Sequence, residues 1–134
     1  MKTSCYKCYK GKAGVGISLS APSFWNGPDY PQLAPSSHLL YDIKSGVIDH
    51  IEYEKRFRKE VLSKLDPMKV YNDLKDNVLL CWEQPVFNNE GKIINEGAGF
   101  CHRHIISKWI FENLNIEILE WQPEIKSYNI THLF

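Results

Sequence analysis

Four consecutive residues, Cys101-His102-Arg103-His104, put a thiol, two imidazoles and a guanidinium within one turn of chain, and Cys81-Trp82-Glu83 puts a second thiol and a carboxylate at the end of an apolar run. A thiol in the first turn of a helix, beside a cation, has its thiolate favoured, so Cys101 is the candidate nucleophile; the alternative is a small buried cysteine. The unpaired N–H groups of a helix start attract an anion, and Arg103 adds a planar, bidentate donor. Arg103 therefore reads either as an anion ligand or as the partner of Glu83 or Glu96. Glu83 is the carboxylate placed for proton transfer, with a salt bridge as its other reading. His102 and His104 fall on different sides of the turn, and each is either an acid–base or ligand-binding group or a structural ring. Cys81, inside Leu-Leu-Cys-Trp, reads as core.

The remaining candidates are less concentrated. Cys5-x2-Cys8 with Cys101-x2-His104 has the outline of a tetrahedral zinc set, but no knuckle glycine immediately follows the first pair and the two halves lie far apart. The expectation is no metal and no cofactor. A phosphatase-type loop needs cysteine and arginine six positions apart, whereas Cys101 and Arg103 are two apart. The segment Phe24-Trp25-Asn26-Gly27-Pro28-Asp29-Tyr30 offers Trp25 and Tyr30 as a stacking wall for a base or sugar, or else as a plug over the core. Tyr53 and Arg56 form a second candidate ligand patch, where surface ion pairs explain Arg56 equally well.

Strands and helices must bring these groups together. Residues 3–9 and 13–20 read as strands, and 23–35, rich in proline and aromatics, as an ordered loop. Ser36 or Ser37 caps a short helix that Gly46 stops, and Asp49 caps a longer one with Tyr53, Phe57, Val61 and Leu65 on its inner stripe. Asp66-Pro67 opens a third helix to about Leu74. Val78-Leu79-Leu80-Cys81-Trp82 fits a central strand buried on both faces. Residues 86–99 read as a flap, 101–114 as an amphipathic helix and 116–121 as a last strand. The alternation predicts one α/β domain over 1–134, a three-layer α/β/α arrangement around a small, mostly parallel sheet. Ligands of such sheets sit beyond the carboxyl ends of the strands, where Cys81-Trp82-Glu83 and Cys101 meet.

Composition sets bounds on partners. Sixteen basic residues balance sixteen acidic ones, so a general electrostatic grip on nucleic acid is excluded while local basic clusters leave nucleic acid open. No apolar stretch reaches membrane-spanning length and no signal-peptide core opens the chain, which predicts a cytoplasmic protein with no membrane partner. In that reducing compartment the four cysteines read as free thiols or metal ligands rather than disulfides. Oligomeric state is not readable.

Four stretches resemble the uncharacterised prokaryotic and phage proteins grouped as domain of unknown function 488 (DUF488). They are Leu33-Ala34-Pro35-Ser36, Glu52-Tyr53 with Arg56 and Val61-Leu62, Leu79-Leu80-Cys81-Trp82-Glu83-Gln84-Pro85, and Phe100-Cys101-His102-Arg103-His104. The resemblance runs from about Ile17 to Trp121. It implies a compact α/β/α domain with its presumed site at the strand end and the Cys-His-Arg turn, and no established reaction. The chain departs from the family pattern between Pro85 and Phe100, where relatives have only a few residues, and at Cys5 and Cys8. The resulting expectation is a small enzyme acting on a nucleotide, nucleoside or nucleic-acid base, with Cys101, His102 and Glu83 catalytic and Arg103, His104, Trp25, Tyr30, Tyr53 and Arg56 binding. The alternative is a non-catalytic module that captures a small anionic, nucleotide-like ligand.

Overall fold

A computed structural model describes residues 1–82 and 101–123. Within them lie strands β1 (Lys2–Cys5), β2 (Gly14–Gly16), β3 (Val78–Cys81) and β4 (Leu119–Glu120), with helices α1 (Ser37–Lys44), α2 (His50–Glu60), α3 (Pro67–Leu74) and α4 (His102–Leu114). The strands form one sheet in the order β2-β3-β1-β4, every neighbouring pair parallel. This is the expected α/β class.

The central strand follows from its sequence. Every residue of Val78-Leu79-Leu80-Cys81 is buried, and alternate residues serve different faces. Leu79 and Cys81 join the core built from Leu39, Phe57, Val70, Ile105, Ile106 and Ile110 of the four helices. Val78 and Leu80 join Tyr6 on the other face, with Tyr9, Trp25 and Trp121 packed against them.

Topology and handedness explain that division. The connections β2 to β3 and β3 to β4 move the same way across the sheet, so one crossover hand puts their helices on one face. The connection β1 to β2 moves the opposite way, and residues 6–13 run with Tyr6 and Tyr9 on the other face.

The helix starts are capped where the sequence indicates. Ser36 Oγ accepts from Leu39 N–H at 3.1 Å, Asp49 Oδ1 from Glu52 N–H at 2.8 Å and Asp66 Oδ1 from Met68 N–H at 3.1 Å. Gly46 sits at φ +78° just beyond α1, a left-handed conformation that glycine takes at no steric cost.

Element lengths differ from expectation. β1 ends at Cys5 because the chain turns there, Cys8 N–H and Tyr9 N–H both donating to the Cys5 carbonyl. β2 stops at Gly16, which pairs with Leu80 of β3 and also bridges Asp29. α2 ends at Glu60, and the turn Leu62–Lys64 buries Leu62, with Val61 and Leu65 partly buried against the same core. Arg56 pairs with Asp42 of α1 at 2.6 Å and with Glu60 at 3.1 Å, while Arg58 pairs with Glu54 at 3.0 Å. No helix among the described residues is long and apolar enough to cross a membrane.

Candidate functional site

Strand register sets the position of the first sulfur. Cys81 closes β3, in register with Cys5 of β1, and Ile17 lies beside it, its N–H donating to the Leu80 carbonyl at 3.0 Å. Cys101 is the residue on which α4 starts. Its backbone is extended (φ −151°, ψ 148°), its carbonyl accepts from His104 N–H, and its side chain makes no capping hydrogen bond. The Cys101 sulfur is bonded instead to that of Cys81, joining the strand end to the helix start. Cys5 and Cys8 form a second disulfide. The expectation of free thiols is thus corrected: all four cysteines are paired, and in this state Cys101 has no thiol to act as a nucleophile. The putting together of Cys5, Cys8, Cys101 and His104 as a zinc set is not what the fold does.

His102 adjoins both sulfurs. One ring nitrogen, Nε2, lies 2.8 Å from the Ile17 carbonyl oxygen. A carbonyl only accepts, so Nε2 carries the proton and donates, which leaves Nδ1 of the neutral ring with a bare lone pair. Nδ1 is 3.5 Å from Cys81 Sγ and 3.6 Å from Cys101 Sγ. Phe57 packs edge-on against the ring at 5.4 Å. Burial pushes the His102 pKa down to about 4, reinforced by the Arg103 charge and opposed by the Ile17 hydrogen bond, so the ring is neutral at ordinary pH.

Arg103 turns away from solvent. It is fully buried, and its Nε and Nη2 donate to Glu120 Oε1 and Oε2 at 3.2 and 3.0 Å, the fork geometry that matches guanidinium to carboxylate. Thr3 Oγ1 donates to the same carboxylate at 2.6 Å. The guanidinium read as an anion ligand is therefore neutralised inside the core by a residue of β4. Glu120 was legible in principle: Ile116 and Ile118 pack on the core, and at strand spacing Glu120 shares their side. Burial, then the neighbouring Arg103, lowers the His104 pKa to about 3, so it too is a neutral ring and not a cationic ligand.

The other expected ligand residues do not join this cluster. Tyr53 is buried, stacked on Phe57 at 6.1 Å, and burial drives its phenol pKa upward. Arg56 faces α1, so the two form no shared patch. Trp25 packs against Tyr6 at 5.7 Å on the opposite face of the sheet, the plug reading of the aromatic loop. Tyr30 donates its hydroxyl to Asp73 at 2.8 Å, and burial together with that carboxylate pushes its pKa up to about 12. Glu83 and the flap at 86–99 lie outside the described residues.

What the fold gathers is thus a compact group of soft donors. Cys81 Sγ, Cys101 Sγ and a His102 ring nitrogen all lie within 4.8 Å of one another, in residues 4%, 4% and 5% exposed. Such a trio supports sulfur redox chemistry and, with the sulfurs reduced, metal ligation. No protein-family model, no curated protein and no solved structure matches the chain.

Proposed function

We propose that this chain is a thiol–disulfide redox protein whose reacting pair is Cys81 and Cys101. The observation that carries the reading is the bond between these two sulfurs, one at the end of the central parallel strand and one at the following helix start, with the bare His102 Nδ1 beside both. Ligand chemistry in open α/β sheets concentrates at that end. Sulfur chemistry is preferred to action on a nucleotide because the guanidinium that would hold a phosphate is spent on Glu120. The resemblance to DUF488 proteins includes these residues among its four stretches and belongs to this proposal.

In the reduced state both positions are thiols. The Cys101 thiolate, favoured at the positive end of α4, attacks one sulfur of a small disulfide RSSR, and its proton ends on the departing thiol. That forms a mixed disulfide and expels RS⁻. Cys81 then attacks Cys101 Sγ, closes the internal bond and expels the second RS⁻. The balance is two Cys–SH plus RSSR giving one Cys–S–S–Cys plus two RSH. Near-complete burial of the pair restricts the partner to small thiols and disulfides rather than protein surfaces.

Equilibration in a graded series of reduced to oxidised glutathione, followed by alkylation and peptide mass spectrometry, tests this. A Cys5→Ser/Cys8→Ser host leaves only the proposed pair to be counted. The expected result is a single two-electron transition in which Cys81 and Cys101 become alkylated together while the protein stays folded. A pair that remains bonded until the chain is unfolded sinks the proposal and leaves a structural crosslink.

A further inference from the structure

The geometry points to a zinc site: we infer that in the dithiol state Cys81, Cys101 and His102 bind one Zn²⁺, so that oxidation of the pair and metal binding exclude each other. The inference rests on the redox reading, since it needs the reduced pair, and it adds a ligand and a regulatory consequence to it.

Three features carry it. Two sulfurs and an imidazole nitrogen within 4.8 Å of one another are a Cys₂His donor set of the kind that holds zinc with a fourth position left over. The imidazole is also oriented as a ligand. Its Nε2–H is tied to the Ile17 carbonyl at 2.8 Å, the outer-shell bond by which metal-binding histidines fix their tautomer, and that bond aims the bare Nδ1 at the sulfurs.

Charge chooses the ion. Two thiolates in residues about as buried as the rest of the core are costly unless neutralised, and a dication cancels both. A monovalent soft ion such as Cu⁺ would leave one negative charge. Among the described residues the buried cation, Arg103, has its charge balanced by Glu120. Binding releases two protons, one from each thiol. Oxidation by a small disulfide RSSR passes two electrons from the sulfurs to it, forms the Cys81–Cys101 bond, and releases two RS⁻ and the metal ion.

The test uses Co²⁺ as a spectroscopic stand-in for Zn²⁺, added anaerobically to the reduced Cys5→Ser/Cys8→Ser protein after its thiols have been counted. Sulfur-to-cobalt charge-transfer absorption should saturate at one equivalent and vanish when Zn²⁺ is added. Cys81→Ser and Cys101→Ser should each remove much of that absorption, and His102→Ala should weaken binding at least tenfold, roughly the scale on which zinc sites respond to loss of supporting groups. Circular dichroism checks that each variant is folded. Two countable thiols with no cobalt absorption would overturn the zinc site and leave the redox pair standing. Absorption unchanged in Cys81→Ser would overturn it equally. If the folded protein yields no countable thiols, both ideas fall, and the thiol count alone says so.

Discussion

Arg103 shows how one residue's neighbourhood decides between roles that its type leaves open. A guanidinium at a helix start is equally suited to an external anion and to an internal carboxylate. Here the carboxylate of Glu120, itself 2% exposed, takes it with two hydrogen bonds and a third from Thr3. Desolvating both charges costs nearly what their attraction returns, so the pair adds little net stability, yet removing one partner strands the other in the core. Glu120→Ala should therefore destabilise the protein by about 3–5 kcal/mol. The double change Arg103→Met/Glu120→Leu should cost clearly less than that single one. Urea unfolding of the two variants beside the parent measures both. Equal losses would mean that solvent reaches the stranded guanidinium. By contrast the half-exposed pair Arg58–Glu112, at 2.7 Å, is screened by water and is worth no more than about 1 kcal/mol.

Between elements, the Cys81–Cys101 bond joins β3 to α4 across a sequence separation of 20. Closing a loop of that size restricts the unfolded chain by about 3 kcal/mol. Cys101→Ser should lose roughly that much stability under oxidising conditions and little relative to the parent under reducing ones. Thermal melts with and without a reductant separate the two cases, and an equal loss in both would mean the serine harms packing rather than the crosslink. Much of this scale was legible in sequence. The run Val78 to Cys81 announced a central strand, Asp49 and Asp66 announced their caps, and Ile105, Ile106, Trp109 and Ile110 announced the buried face of α4. The overlong readings of β1 and β2 were not excluded by local pattern, because both strands end where the chain turns toward tertiary partners while the next residues, Tyr6 and Ile17, stay buried. The sulfur pairing was hidden for another reason. Cys81 and Cys101 belong to separate elements, and only the register of β3 against β1 and the docking of α4 bring them within bonding distance.

At the scale of the whole molecule, the balance of sixteen basic and sixteen acidic residues gives the fold no large net repulsion near neutrality. Its acid limit is then set by groups that folding keeps in one protonation state. His102 is such a group, held neutral with its pKa lowered from 6.5 to about 4 by burial. Between those values the unfolded chain binds a proton that the native chain refuses, so stability falls as pH falls. The full contribution is present above about pH 6.5 and is lost progressively down to about pH 4. His104, lowered to about 3 by burial and by Arg103, acts in the same direction. For oxidised protein kept free of metal by a chelator, moving from about pH 7.5 to about pH 5 should cost on the order of 2 kcal/mol through His102 alone. Urea midpoints at the two pH values give the difference, and His102→Gln, which cannot titrate, should flatten the slope by that share. A parent protein equally stable at both pH values would mean that His102 takes its proton in the folded state as readily as in the unfolded one, and so is not sealed against the sulfurs as the Ile17 hydrogen bond requires.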